Sequence, residues 1–259
     1  LDAQLLRLVA AEAALSSVHR RSEYPMEVPE GFEEELVYRQ LQIMIARGDI
    51  DTAERLALEL SEADGGGLWS KLAARAMFRH AIDQWNAAVA GEDSRGAIRR
   101  VSEWGNRILD EQPTIAETLE SPGMMAVASN VARAGLIRWE GSGDATLGRS
   151  TLELYGLLLK SHPRNQQFLR GRALLAAAFE DMQEAVRCWR VLLSGTIAGS
   201  DAWFEARTHQ VELLAGIDPE HARQVLQQHH VLYPEWGPSP WAKRIRAVHE
   251  SLLSTEAGP

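Results

Sequence analysis

The sequence predicts an all-α protein of about twelve helices joined by short links. Apolar residues recur at intervals of three and four almost throughout, which is the period of one buried helix face, and alternating runs of β-branched residues are absent. Short clusters of Gly, Pro, Ser and Asp separate these stretches. Because the links are short, sequential helices are expected to pack antiparallel as hairpins, which together form an α-α superhelix.

The breaks in this pattern set the helix boundaries. A first helix is predicted over residues 2–20, and a loop with Pro25 and Pro29 follows it. The other predicted helices, in chain order, are 33–47, 51–62, 68–90, 94–111, 122–140, 145–161, 166–179, 183–194, 201–215, 219–232 and 240–253.

Several of these boundaries have a local chemical reason. Asp218 precedes Pro219, so an acceptor for the first free N–H groups is followed by a residue that needs no N–H partner. Ser121 and Pro122 repeat this arrangement. The run Asp51-Thr52-Ala53-Glu54 fits a capping box, with Asp51 as the cap.

Three predicted helices share one spacing of buried-type residues, a step of four followed by a step of three. Their first members are 34 and 37 residues apart (185 − 151 and 222 − 185). A nearly fixed period of this length indicates a repeated two-helix unit. The three ladders are Thr151, Tyr155 and Leu158; Ala185, Trp189 and Leu192; and Ala222, Leu226 and His229.

This pattern resembles the tetratricopeptide repeat (TPR), a helix-turn-helix unit of about 34 residues. Ala185 and Ala222 match the small position of the family's second helix, and Tyr155 and Trp189 match its aromatic position. The closing proline of the repeat is matched by the prolines that lie five residues beyond the first and third ladders, Pro163 and Pro234. The resemblance implies a TPR-like solenoid of antiparallel helical hairpins.

The chain departs from the family pattern in places. Thr151 replaces the small Ala, Ile197 replaces the closing proline of the middle unit, and the first-helix signature is thin. The resemblance is good over 145–234, fair over 33–62 and only architectural between them. A helical-hairpin array unrelated to this family is the alternative.

The domain organisation follows from the repeat. We predict one helical-repeat domain over 1–259. It would begin with an N-terminal helix and loop (1–32), continue with early and irregular long hairpins (33–140) and TPR-like repeats (145–234), and end with a capping helix (235–259).

The tripeptide Arg47-Gly48-Asp49 raises a separate question, because some adhesive proteins bind receptors through Arg-Gly-Asp. Here it falls between two predicted helices. Gly48 can end the first helix, and Asp49 or Asp51 can cap the second. We interpret the tripeptide as an interhelical corner, since receptor binding requires a protruding loop.

Composition narrows the function classes. Nucleic-acid binders usually carry a basic surface, and the net charge of −9 argues against that class. The sequence contains no run of about 18 apolar residues, the length needed to span a membrane.

The lone cysteine, Cys188, lies among apolar residues and is expected to be a small buried hydrophobe. No cofactor or metal motif is present, and partly exposed positions are expected for the clustered histidines, His209, His221, His229 and His230. A soluble protein is expected, in the cytoplasm; an exported protein with a removed leader is the alternative.

The leading hypothesis for function is a non-catalytic scaffold that binds a protein or peptide. Stacked hairpins present the first helix of each pair on a concave face. Arg170 and Arg207 would receive a carboxylate or acidic segment there, or would instead pair with Glu180, Glu205 or Glu212 of the chain. The candidate partner-binding residues are Tyr38, Gln42, Gln167, Arg170, Leu174, Arg207 and Val211.

Two other functions remain open. Twelve helices could close into a ring-like enzyme or ligand-binding domain that acts on a saccharide. The apolar face of the first helix, including Leu5 and Leu8, could support self-assembly or docking within a larger protein. The aromatic loop 233–241 is predicted to cap the terminal helix, and a partner site is its alternative.

Overall fold

Eleven α-helices form most of the described part of the chain, which confirms the predicted fold class. The computed structural model describes residues 31–63, 66–88, 92–112, 114 and 119–256, and no strand occurs in these ranges. The predicted helix 2–20, with its apolar face, lies outside them. The helices are α1 (Phe32–Arg47), α2 (Ile50–Ala63), α3 (Leu68–Ala87), α4 (Glu92–Asp110), α5 (Pro122–Ser142), α6 (Ala145–Ser161), α7 (Gln166–Ala178), α8 (Met182–Gly195), α9 (Asp201–Ile217), α10 (Pro219–Leu232) and α11 (Trp241–Glu256).

The chain divides into two compact units, Leu1–Ala134 and Gly135–Pro259. In the first unit, α1 packs on α2, α2 on α3, and α3 on α4. In the second, each helix from α6 to α10 packs on the next, and α11 packs on both α9 and α10. Short links and sequential packing therefore produce hairpins within each unit, as the sequence predicts. The single-domain organisation stays a prediction.

The three repeat ladders form the buried stripes of α6, α8 and α10. All nine ladder residues are at most 4 % exposed. The ladder of α2 behaves in the same way, with Ala53, Ala57 and Leu60 at most 1 % exposed. The ring of Tyr155 lies 6.4 Å from that of Phe168 on α7, so the aromatic position fills the space between one hairpin and the next. These contacts confirm a TPR-like helical repeat.

The predicted helix caps are partly confirmed. The side chain of Asp218 accepts a hydrogen bond from the backbone N–H of His221 at 3.1 Å, and Pro219 is the first residue of α10. The capping box that began at Asp51 is wrong. Helix α2 begins one residue earlier, and Asp49 Oδ1 accepts from the Thr52 N–H at 3.3 Å.

The Arg-Gly-Asp tripeptide is the corner between α1 and α2, as predicted. Gly48 has a left-handed backbone, with φ 78° and ψ 9°, and its N–H bonds back to carbonyls of the last turn of α1. A residue with a Cβ is strained in this conformation. Asp49 then starts α2, so two of the three residues already serve local structure.

The aromatic loop after α10 packs inward, which supports its interpretation as a cap. Trp236 is 7 % exposed and shares a core cluster with Ile245 and Leu252 of α11. Trp241, at the start of α11, donates from its indole N–H to Asp201 Oδ1 of α9 at 2.7 Å. The loop therefore fixes the last helix against the hairpin that precedes it.

Thr151 occupies the small position of its ladder because the facing helix residue is a glycine. The Thr151 hydroxyl donates to the Leu147 carbonyl at 2.7 Å. A Cβ built on Gly135 of α5 would lie 2.4 Å from Thr151 Oγ1, well inside contact distance. The space that Ala leaves in other units is left here by Gly135.

This pairing predicts a coupled effect on stability. Gly135→Ala should destabilise the second unit by about 1–3 kcal/mol through overpacking, which exceeds the roughly 1 kcal/mol that Ala gains in helix propensity. Adding Thr151→Ala should relieve the clash, so a double-mutant cycle by thermal denaturation should show favourable coupling.

Gly141→Ala, in the same helix, is the matched control. No atom lies within 4 Å of a Cβ at Gly141, so this change should leave stability unchanged or raise it by up to about 1 kcal/mol. Additive effects of Gly135→Ala and Thr151→Ala would contradict the proposed packing.

Candidate functional site

The predicted site residues of α7 share one accessible side of that helix. Gln167, Arg170 and Leu174 are spaced by three and four residues; the first two are exposed and Leu174 is half-buried. Arg170 Nε donates to Glu205 Oε1 of α9 at 2.8 Å. Of the two roles considered for Arg170, ion pairing with Glu205 is therefore the one the structure contains.

Polar residues also lie on the side of α9 that contains Glu205, the partner of Arg170. Glu205, His209 and Glu212 follow one another at intervals of four and three, so they lie on one side of the helix. Glu212 accepts two hydrogen bonds from Arg244 of α11, at 2.8 and 2.6 Å. Ion pairs thus link α7 to α9 and α9 to α11. The first-helix face is defined here as Gln167, Arg170, Leu174, Glu205, His209, Glu212 and Arg244.

His209 is held in the middle of this face by aromatic rings. Its imidazole stacks on Trp189 of α8, with centroids 4.7 Å apart and planes 8° from parallel. Trp241 contacts it edge-on at 6.5 Å. Burial, reinforced by the Arg244 guanidinium, lowers the pKa of His209. The ring is therefore neutral at pH 7, and the charges of the face are those of the arginines and glutamates.

Two predicted site residues, Arg207 and Val211, do not lie on this face. Val211 is fully buried in the core cluster of the second unit. Arg207 packs its guanidinium 5.0 Å from the centre of the Trp203 ring and donates to Gln210 at 3.3 Å. Its Nε is buried without a hydrogen-bond partner, and burial lowers its pKa. Among the described residues, Arg207 also forms no ion pair with a glutamate, which was the alternative to binding a partner's carboxylate.

The two remaining candidates belong to the first unit. Tyr38 and Gln42 lie one turn apart on α1, and both are half-buried. Gln42 Nε2 donates to the Tyr38 hydroxyl at 3.1 Å, and the Tyr38 ring lies 5.6 Å from that of Trp69. These contacts order both side chains while leaving part of each accessible. Their role in binding stays a prediction.

His229 corrects the expectation that the clustered histidines are partly exposed. It is 1 % exposed, and its ring stacks with those of Trp203, at 5.8 Å, and Trp236, at 6.0 Å. Its Nε2 lies 3.3 Å from the Trp236 carbonyl oxygen, while Nδ1 has no partner. Burial lowers the pKa of His229, so a neutral imidazole fastens the capping loop to α10.

In the described ranges, no group of three or more His, Cys, Asp or Glu could hold a metal ion. Every helix in those ranges is too short or too polar to cross a membrane. Cys188 is fully buried, and burial raises the pKa of its thiol to about 11, which confirms the interpretation as a buried hydrophobe.

Comparisons with known proteins find distant similarities to solved structures. No family model matches the chain, and no curated protein matches it significantly. One similar solved structure, from Podosopora anserina, is described as a kinesin light chain with nearly identical TPR-like repeats; it is 15 % identical, with 87 % of this chain and 98 % of that chain covered and a TM-score of 0.43.

A second solved structure is the assembly chaperone of RpL4 (Acl4), residues 1–338. It is 18 % identical, with 86 % of this chain and 84 % of that chain covered and a TM-score of 0.38. Within the chain itself, the repeat is seen in the buried ladders of α6, α8 and α10.

The buried His229 predicts a loss of stability in acid. Its folded pKa lies below the ordinary value of 6.5, so as pH falls from about 6.5 the unfolded chain takes up a proton that the folded unit excludes. Stability should therefore fall until the folded pKa is reached. His229→Phe should reduce the drop in melting temperature between about pH 7.5 and about pH 5.

The quantity to compare between the two proteins is the change in melting temperature from one pH to the other. The absolute melting temperatures differ, because losing the bond to the Trp236 carbonyl lowers that of the variant at every pH. His80 and His209, whose pKa values are also lowered by burial, contribute equally to both proteins. An equal drop in melting temperature in both proteins would show that protonation of the buried His229 does not cause the loss of stability in acid.

Proposed function

We propose that this chain is a non-catalytic scaffold that binds a protein or peptide partner on the first-helix face. The observation that supports this function is the row of ion pairs that joins α7, α9 and α11 on an accessible side of the second unit. A face that served packing alone would bury apolar groups there. Here the side chains retain charged groups that solvent and a partner can reach.

The exposures within each pair favour an acidic partner. The Arg170 side chain is 46 % exposed and that of Glu205 is 16 % exposed. The Arg244 side chain is 38 % exposed and that of Glu212 is 31 % exposed. In both pairs the cation is the more accessible member, so an arriving molecule meets guanidinium groups before carboxylates.

Neither pair prevents binding. Exposed ion pairs contribute about 0–1 kcal/mol to stability, so the arginines lose little when they reorient toward another carboxylate. Arg170 uses only Nε in its hydrogen bond to Glu205, and the rest of its planar group can bind a carboxylate in a bidentate manner. Arg170 and Arg244 thus replace the sequence-based pair Arg170 and Arg207 as the groups that would receive an acidic segment.

The aromatic contacts of His209 add a second element of recognition. Trp189 fixes the imidazole from below, and Trp241 flanks it. A neutral ring between two ion pairs offers a peptide a surface that is less polar than its surroundings. We therefore propose an extended acidic peptide segment as the partner, with its carboxylates toward Arg170 and Arg244.

The test is a charge exchange on this face. The double variant Arg170→Glu with Glu205→Arg keeps an ion pair between α7 and α9 but reverses which charge is more exposed. Affinity capture from the native lysate, measured by quantitative mass spectrometry, should show at least one partner reduced by roughly tenfold or more. Circular dichroism should show an unchanged fold.

The matched control exchanges an exposed ion pair in the first unit, Arg99→Glu with Glu103→Arg, where the two groups lie 2.7 Å apart. This variant should capture the same partners as the unaltered protein. Identical capture by all three proteins would exclude the first-helix face as the binding surface.

A further inference from the structure

A cleft lies on another side of the second unit, where the second helices α6 and α8 flank α7. Its volume is about 180 Å³, and residues from all three helices and one link line it. Leu169 and Pro163 give it an apolar wall, while three of its lining side chains are cationic. The residues that matter here are Gly156, Lys160, Pro163, Leu169, Arg172 and Arg187. None of them belongs to the first-helix face.

Two of the cations share a single carboxylate. Arg172 Nε donates to Glu184 Oε1, and Arg187 donates from Nε to Oε2 at 2.6 Å and from Nη2 to Oε1 at 2.7 Å. These hydrogen bonds, led by that from Arg187, lower the pKa of Glu184 to about 2. The carboxylate is therefore ionised at neutral pH and balances only one of the two guanidinium groups.

Lys160 adds a third positive charge. Its side chain is exposed, and no hydrogen bond or ion pair to it occurs within the described ranges. Counting Lys160, Arg172 and Arg187 against Glu184 gives a local net charge of about +2 in a chain whose net charge is −9. Glu153 lies about two turns before Lys160 on α6 and does not line the cleft.

Donor groups remain available in the cleft. Arg172 is fixed by Glu184 and by a bond from Nη1 to the Leu152 carbonyl at 3.2 Å, which leaves Nη2 without a partner among the described residues. Arg187 likewise leaves Nη1 unused. Because the two guanidinium groups are held in place before any ligand arrives, binding an anion costs little side-chain entropy.

We propose that this cleft binds a phosphate group. Two net positive charges match a phosphate dianion, and arginine and lysine donors suit its oxygens. The cleft volume is on the order of six times that of a water molecule in the liquid, which is sufficient for one tetrahedral oxyanion. The phosphate could belong to a free compound or to a phosphorylated side chain of another protein. The inference does not depend on the proposed peptide-binding function.

The direct test is a titration with inorganic phosphate at low ionic strength, followed by isothermal calorimetry and by the protein's amide NMR shifts. The unaltered protein should bind one phosphate saturably, with shifts centred on α6 to α8. Lys160→Gln should weaken binding roughly tenfold, since it removes a charge-assisted contact. Lys243→Gln, which removes an exposed positive charge from α11, should leave the affinity unchanged.

A second variant is expected to bind phosphate more tightly, so its effect cannot be mistaken for a loss of binding caused by misfolding. Glu184→Gln removes the one negative charge of the cluster but keeps an acceptor for the arginines, so phosphate should bind more tightly. Absence of saturable binding, or equal weakening by Lys160→Gln and Lys243→Gln, would overturn the proposal. So would weaker binding by a folded Glu184→Gln protein.

A third arm distinguishes the sources of the phosphate. A phosphoserine peptide that binds more tightly than inorganic phosphate, while its unphosphorylated form does not bind, indicates a phosphorylated partner. Phosphate that binds as tightly as the phosphopeptide indicates a free compound. If Lys160→Gln affects neither ligand, the site is not in this cleft.

Discussion

The burial of one narrow stripe on each second helix is the constraint on which the repeat array depends. In α8 the stripe is Ala185, Trp189 and Leu192, and it is at most 4 % exposed. The small residue lets two helices approach closely, and the large ones fill the space toward the next hairpin. Burying each large apolar side chain contributes about 1.5–3 kcal/mol, so the ladders supply much of the packing energy. Where the ladder has Thr151 instead of Ala, the facing residue is Gly135, and the close approach is preserved.

The buried stripes limit where charged side chains can lie on the helices. The ladder residues form the buried stripes of α6, α8 and α10, while the ion pairs lie on accessible sides of α7, α9 and α11. On the first-helix face, each arginine is more exposed than the glutamate it contacts. Beside the α6–α8 cleft, Glu184 is 16 % exposed, whereas Arg187, which lines the cleft, is 58 % exposed. A chain with an excess of acidic residues can therefore present positive groups at two separate surfaces.

The sequence was sufficient to predict the elements and the phase of the repeat, because both follow from local rules. Apolar spacing and prolines gave helix boundaries that mostly lie within a few residues of those observed. The sequence was less informative about which side of a helix each candidate residue occupies. Assigning Arg207 and Val211 to the binding surface requires knowing which side of α9 faces solvent, and that side differs from theirs by about half a turn. The spacing of Glu205, His209 and Glu212 indicates the accessible side of α9. The sequence-based hypothesis, however, considers the glutamates only as alternative partners of Arg170 and Arg207.

Contacts between distant segments could not be predicted from the sequence. The sequence predicts that Arg244 lies in a capping helix, and nothing local shows that it reaches Glu212 on α9. Similarly, the burial of His229 depends on a loop that folds back to place Trp236 over its ring. The cap of α2 differed for a simpler reason: Asp49 and Asp51 are both suitable acceptors, and the left-handed turn at Gly48 selects the first.

We infer that the ladders, rather than helix length or propensity, hold the second unit together. Hydrogen exchange followed by mass spectrometry tests this claim most directly, since protection reports the local free energy of opening. The slowest exchange in this unit should fall in the ladder segments 151–158, 185–192 and 222–229 and in the parts of α7 and α9 that pack on them. Protection that is uniform along these helices, or greatest outside the ladder segments, would contradict the claim.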